Sequence, residues 1–412
     1  MKTYAPVTEA VLDALKTIVG AEYVLTEPEK LEQYQTDEET DPRKFHLPEA
    51  VVLPKDAQEI AAVIKLANTY DVPVTVRSGG TSLAGGAIPV CGGIVLLMER
   101  LNKIIELNAE GMYMEVEAGV RTVDIQKYAN EAGFLYAGDP CSAESCLIGG
   151  NIATNAGGNK AVRYGVTRDQ VYAVEVVTPT GEIVELGARL KKKSTGYCLE
   201  QLIMGSEGTL GIITKATLKL QPIPPYRFDL LAVFSDPEQA LDVVPKIMQA
   251  GINPTSEYMD NSYVRGTAEY LEFKGAPHYE NGIYVIITVE TFSEDELDLK
   301  MEQLDELCSA AGAVDVLEAD ERIWDMRRNC QESVRLISLV SLTDDVVVPV
   351  NEIAGTIKFI MKIGEKYPFP VKINAHIGDG NLHIVLCKCE LSDEEWENKV
   401  EAFHKEVYTY AY

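Results

Sequence analysis

The chain has 412 residues, too many for one ordinary hydrophobic core, so two or three lobes are expected. Hydrophobic residues make up 46% and charged residues 25%, the balance of a water-soluble globular protein. A formal charge of −27 repels phosphate backbones and anionic lipid, which argues against nucleic-acid binding; the run Lys191, Lys192, Lys193 reads as a solvated turn or a local basic patch.

Val7, Val11, Leu15 and Ile18 recur at helical spacing, so the first 20 residues read as an amphipathic helix rather than a signal peptide. No apolar run approaches the roughly 20 residues that span a bilayer, and a cytoplasmic location is expected. Residues 50–76 predict strand, helix and strand, with Asp56 capping a helix through Asn68 and a second strand from Val72 to Val76. Further strands are expected at GIVLLM, IIEL and MEVEAGV, then a helix from Val123 to Ala132, then strands at VYAVEVVTP, GEIVEL and IITKATLKL. Pro222, Pro224 and Pro225 break regular structure and mark a domain boundary.

Beyond that boundary LLAVF, a helix from Pro237, YVIITVE and a helix from Glu294 alternate, which predicts α+β structure with helices on one face of an antiparallel sheet. VKINAH and LHIVLCK read as two strands around Gly378-Asp379-Gly380-Asn381, and an acidic helix starts at Ser392. The division that follows is 1–222, 223–390 and a terminal helix over 391–412. The eight cysteines include no Cys-x-x-Cys, which excludes iron–sulfur and zinc-finger spacings. Cys387 and Cys389 are expected on one side of a strand, Cys141 and Cys146 beside a turn, most of them as buried thiols.

Arg77-Ser78-Gly79-Gly80-Thr81-Ser82-Leu83-Ala84-Gly85-Gly86-Ala87 follows a strand directly. Small residues there let backbone N–H groups approach a phosphate, although a merely tight turn would use the same residues. The spacing is neither Gly-x-Gly-x-x-Gly nor a Walker loop. Three further segments follow: Gly138-Asp139-Pro140; Ile148-Gly149-Gly150-Asn151-Ile152-Ala153-Thr154-Asn155-Ala156-Gly157-Gly158 with Arg163-Tyr164-Gly165; and Gly205-Ser206-Glu207-Gly208-Thr209-Leu210-Gly211. Four ordered small-residue segments suggest one long ligand touching the backbone at several places.

This ordered set resembles the FAD domain of the vanillyl-alcohol oxidase / p-cresol methylhydroxylase superfamily, in its D-lactate dehydrogenase, glycolate oxidase and D-2-hydroxyglutarate dehydrogenase branch. The resemblance runs from about residue 45 to the C-terminus. It implies a two-lobed FAD-binding domain of the p-cresol methylhydroxylase type and an α+β cap domain with an antiparallel sheet. It also implies that Ser78, Gly79, Gly80, Thr81 and Ser82 hold the FAD pyrophosphate. Pro140, Gly150, Thr154, Asn155 and Gly158 are then expected along the flavin, and Glu207, Gly208 and Ile213 near the adenosine or ribityl side. No histidine lies in 77–87, so the FAD is expected to be non-covalent.

His376 and His383 are symmetric about Asp379-Gly380. A two-residue turn there would set them opposite each other with Cβ atoms about 5 Å apart, either as a metal pair or as two structural histidines. The family's His-x-Gly-Asp-Gly-Asn-Leu-His motif matches, and implies that both bind a divalent metal (Zn, Fe or Mn) that polarises the substrate hydroxyl. The family's third metal ligand and proton acceptor lie in a Gly-Glu-His-Gly segment that these residues do not contain. Either the chain continues past Tyr412 or the site lacks both.

Arg327, in Trp324-Asp325-Met326-Arg327-Arg328, is the expected clamp for the substrate carboxylate. Relatives acting on 2-hydroxyglutarate carry a lysine where this chain has Ser341-Leu342-Thr343-Asp344-Asp345, so a short monocarboxylate, D-lactate first, is expected. The catalytic set is therefore Arg327, His376 and His383. With no nicotinamide, haem or iron–sulfur signature, electrons are expected to leave FAD for an external redox protein such as an electron-transferring flavoprotein. A non-catalytic electron-transfer subunit and a glycolate oxidase-type enzyme are the alternatives.

Overall fold

The computed structural model describes residues 4–252 and 254–411, which separate into two compact units. The first comprises Met1–Lys160 and Tyr164–Ile223; the second comprises Pro224–Tyr412 together with Ala161–Arg163. Among the described residues no helix is long and apolar enough to cross a membrane.

The first unit holds two main sheets. In one, β1 (Val24–Leu25), β2 (Ala50–Val52), β3 (Val74–Arg77) and β4 (Ile94–Leu97) lie in the order β1-β2-β4-β3. Strands β2 and β3 run parallel to β4, joined by the helix Ala57–Tyr70, whose N-cap Asp56 accepts from the Glu59 N–H. All four β4 residues are buried, because Ile94 and Leu96 face the main core and Val95 and Leu97 a smaller one with Leu31 and Val51. In the other sheet β5 (Ile104–Asn108), β6 (Tyr113–Glu117), β8 (Val171–Val177), β9 (Ile183–Gly187) and β10 (Ile212–Lys219) run antiparallel in the order β5-β6-β10-β8-β9. The short strand β7 (Phe134–Leu135) pairs with β11 (Gln221–Pro222). The amphipathic helix over Glu9–Val19 buries Val11, Leu15 and Val19 in the main core. Lys191 and Lys192 are exposed, and Lys193 pairs with Glu200 at 2.9 Å.

The second unit is one seven-stranded antiparallel sheet: β12 (Tyr226–Phe234), β13 (Thr255–Met259), β14 (Ile283–Thr291), β15 (Asp315–Glu318), β16 (Ser341–Val347), β17 (Val371–His376) and β18 (Asn381–Cys387), in the order β15-β12-β14-β13-β17-β18-β16. Helices cover both faces, not one. Pro237–Gln249, Glu294–Ala310, Ile353–Gly364 and Asp393–Ala411 pack on the face of Tyr258, Ile373 and Ile384. Asn261–Tyr270, Glu321–Arg328 and Cys330–Val334 pack on the face of Met259, Val385 and Cys387. The second helical layer escapes the pattern because it is built from short helices with few apolar residues each. The terminal helix belongs to the first of these layers through Trp396, Phe403 and Val407.

Two smaller expectations are corrected. Four of the eight free cysteines are exposed (Cys91, Cys141, Cys198, Cys389). Cys389 lies past the end of β18 in a left-handed conformation, φ 49°, so it does not share a strand face with Cys387.

The loop between β17 and β18 spans residues 377–380. Gly380 has φ +86°, and a Cβ there would lie 2.0 Å from the Val348 carbonyl oxygen. Gly380→Ala is therefore expected to lower the unfolding free energy of the second unit by about 1–3 kcal/mol, through strain at a left-handed position and displacement of β16. An unchanged denaturation midpoint would contradict this packing.

Candidate functional site

A groove in the first unit holds a cavity of about 240 Å³. The loop after β3, the helix Ile148–Thr154, the segment through Glu207–Gly211 and the start of β10 line it. Ser78, Gly79, Gly80, Thr81, Ser82, Pro140, Gly150, Thr154, Glu207, Gly208 and Ile213 all face it. The loop fits a phosphate chemically: among the described residues the N–H groups of Gly79, Gly80, Thr81 and Ser82 donate to no other residue, so a cluster of donors remains for an anion.

Glycine is required at two contacts in this groove. Gly80 has φ +68° and a Cβ there would lie 2.2 Å from the Arg77 guanidinium, whose Nη1 donates to the Thr36 carbonyl at 2.6 Å. Gly150 brings the Ile148–Thr154 helix against the loop, since its Cβ would lie 2.9 Å from that of Ser78.

Asn155 and Gly158 do not line the groove. Asn155 ends the helix with φ 52° while its Oδ1 accepts from the Arg168 N–H at 3.0 Å, and a Cβ on Gly158 would lie 2.0 Å from the Asp139 carbonyl oxygen. Met98, Cys146 and Leu147 also line the groove although they lie outside the glycine-rich segments, and so does Asn151 from within the segment over 148–158. None of the five histidines borders it.

In the second unit the strand register differs from the expected one. His376 pairs with Asn381 and His383 with Asn374, so the turn has four residues and the histidines are diagonal rather than opposite. They still share one face, and their ring centroids lie 5.0 Å apart at 85°. Each also stands directly opposite a carboxylate on its outer neighbour: Glu257 of β13 opposite His376, and Asp345 of β16 opposite His383. Glu257, His376, His383 and Asp345 thus form a row across four adjacent strands.

The row is hydrogen-bonded. Glu257 Oε1 lies 2.7 Å from His376 Nδ1, and Asp345 Oδ1 lies 2.5 Å from His383 Nδ1. Glu257 is fully buried, and its Oε2 accepts from Arg327 Nε at 2.8 Å and lies 2.7 Å from Arg327 Nη2. Arg327, on the helix Glu321–Arg328, is 5% exposed. Burial raises the Glu257 carboxyl, but the charges and hydrogen bonds of His376 and Arg327 together outweigh it and hold the group below the usual carboxylate range. Desolvation likewise raises Asp345, and His383 more than offsets it.

The fold thus brings Arg327 and His376 together through Glu257, a residue that no sequence motif singles out. Asp344 and Asp345 point to opposite faces: Asp344 lies 2.5 Å from His404 Nε2 on the terminal helix, while Asp345 holds His383. With both Nδ1 atoms engaged, the Nε2 atoms are the donors a metal would use. Among the described residues no group of three or more His, Cys, Asp or Glu is placed to hold a metal ion, so the donor set fits one only as two imidazoles.

Comparison with known proteins agrees with this geometry. Residues 48–187 match the FAD binding domain family, and residues 223–411 match the C-terminal domain of FAD linked oxidases. The chain is 37% identical to D-lactate dehydrogenase of Anaerostipes hadrus over 99% of its own length and 87% of the relative's. It is 34% identical to glycolate oxidase subunit GlcD of Bacillus subtilis (89% and 78% covered). Identity to D-2-hydroxyglutarate dehydrogenase of Stutzerimonas stutzeri is 30% (97% and 87% covered). Among solved structures, p-cresol methylhydroxylase with substrate bound superposes with TM-score 0.80 at 18% identity, covering 98% of this chain and 88% of that one, which establishes the two-lobed fold. The chain is a member of the FAD-linked oxidase family, an FAD-dependent oxidoreductase with the p-cresol methylhydroxylase fold.

Proposed function

We propose that this protein oxidises a small D-2-hydroxy acid, D-lactate in first place, to the 2-oxo acid, and that the electrons pass through non-covalent FAD to an external redox protein. The observation that carries this reading is the row Glu257–His376–His383–Asp345 with Arg327 at one end, which sets a carboxylate-binding cation beside two oriented imidazoles. The 37% identity to a D-lactate dehydrogenase supports the substrate class.

In the reaction a 2-hydroxy acid gives its hydroxyl proton to solvent and the hydride of its α-carbon to a two-electron acceptor, leaving a carbonyl. FAD, when bound in the groove, supplies the two-electron acceptor. Gly79 to Ser82 offer their N–H groups to its pyrophosphate, and Gly150 lets the helix close on the loop. Arg327 is the cation for the substrate carboxylate, and Glu257 on its Nε side fixes the plane of the guanidinium. His376 and His383 would hold a divalent ion (Zn, Fe or Mn) through Nε2, which would supply Lewis acidity at the substrate hydroxyl. No lysine stands in β16 for a second substrate carboxylate, which supports a monocarboxylate. The two acids of that stretch are occupied by His404 and His383, so the preference does not rest on repulsion by them.

Two outcomes are expected. Acid precipitation should release FAD into the supernatant, because no histidine borders the groove; flavin retained in the pellet would mean a covalent link. Anaerobic titration of the flavin-loaded protein should bleach the flavin with D-lactate, more weakly with glycolate, and least with L-lactate and D-2-hydroxyglutarate. Reoxidation should be slow in air and fast with an electron-transferring flavoprotein, slowing as salt rises because a chain of charge −27 docks by charge. Flavin that no hydroxy acid bleaches would overturn the enzyme reading in favour of an electron-transfer subunit, and rapid peroxide formation in air would favour an oxidase.

A further inference from the structure

We propose that Glu257 is a positioning residue that couples the two halves of the substrate site: one carboxylate sets the tautomer of His376 and the orientation of Arg327 together. The inference rests on the reading of His376 and Arg327 given above, and concerns a residue 119 positions from His376 and 70 from Arg327.

Hydrogen-bond roles fix the tautomer. An ionised carboxylate only accepts, so the contact of Oε1 with His376 Nδ1 at 2.7 Å requires Nδ1 to carry the proton. In the neutral ring Nε2 then holds the lone pair. An arginine only donates, so the contacts of Oε2 with Nε and Nη2 at 2.8 and 2.7 Å use the other oxygen. Each oxygen is committed to one partner. Glu257 has no solvent exposure and Arg327 and His376 are 5% and 4% exposed, so water cannot take over any of these roles. Asp345 makes the same Nδ1 contact to His383 but is an exposed residue, so solvent can share that contact. The coupling is therefore specific to Glu257.

Glu257→Gln separates these roles with little change of shape. The glutamine oxygen must face Arg327, because the guanidinium accepts nothing. The NH2 group then faces His376 Nδ1, which must accept, and the ring proton moves to Nε2, the atom a metal would need. Glu257→Asp keeps two acceptor oxygens on a shorter stem.

The test uses the full chain with bound flavin. Long-range ¹H–¹⁵N spectra of the histidine rings at alkaline pH, without added metal, should show His376 of the wild type protonated at Nδ1. Glu257→Gln should move that proton to Nε2. Titration with Zn²⁺ alone should show affinity falling roughly 10- to 100-fold in Glu257→Gln, the usual cost of losing a carboxylate behind a metal-binding histidine, and less in Glu257→Asp. Flavin content and far-UV circular dichroism should match the wild type. Steady-state kinetics should show KM for D-lactate rising as Arg327 loses its fixed orientation.

A wild-type His376 protonated at Nε2 would overturn the proposal at once, and this needs no variant to fold. An unchanged tautomer and unchanged Zn²⁺ affinity in Glu257→Gln would overturn it as well. If the tautomer moves as expected but no hydroxy acid bleaches wild-type flavin, the positioning role stands and the proposed reaction fails. If hydroxy acid bleaches the flavin but the tautomer does not move, the reaction stands and the positioning role fails.

Discussion

A carboxylate with no access to water needs its charge answered within hydrogen-bond distance, and Glu257 on β13 is such a group. An unpaired ion in an apolar interior costs several kcal/mol even after relaxation. Arg327 and His376 remove that cost, and in doing so tie the helix Glu321–Arg328 and strand β17 to β13 at one point. Replacing the triad by apolar residues of similar volume could leave stability unchanged or raise it, as replacing buried ion pairs often does. Its place at the end of the row, between Arg327 and the first imidazole, therefore fits a role in orientation better than one in stability.

The two candidate sites are built by different chemistry. The groove of the first unit presents main-chain N–H groups, and its specificity lies in what is missing: Cβ atoms at Gly80 and Gly150 and, among the described residues, acceptors for the N–H groups of residues 79–82. The second unit presents side chains from a sheet, where the two-residue period and strand pairing decide which groups meet. Glu257, His376, His383 and Asp345 come from four strands, and antiparallel pairing alone aligns them.

That difference explains what can be read from the sequence. A glycine-rich cradle is written locally, because each backbone requirement falls on consecutive residues, so the loop at 78–82 is legible in the residues themselves; Gly150, Thr154, Glu207, Gly208 and Ile213 are expected through the family resemblance, and all of these line the groove. The His-x-Gly-Asp-Gly-Asn-Leu-His motif is also local, and both histidines do share a face. Their exact pairing is not legible, because Asp-Gly favours a two-residue turn while Gly380, packed against the Val348 carbonyl, closes a four-residue one. Glu257 and Asp345 are invisible in their roles because pairing register, not spacing, joins them to the histidines. Asn155 and Gly158 lie outside the groove lining, where Asn155 adopts a left-handed conformation and Gly158 packs on the Asp139 carbonyl.

The proposed reading turns on whether His376 and His383, each held at Nδ1 by a carboxylate, would present their Nε2 atoms to one divalent ion. X-ray absorption at the zinc edge of the full chain loaded with one equivalent of Zn²⁺ tests it most directly. Two imidazole nitrogens at about 2.0–2.1 Å are predicted, falling to one in His376→Ala and in His383→Ala. A spectrum without imidazole scattering, or one the two substitutions leave unchanged, would contradict it.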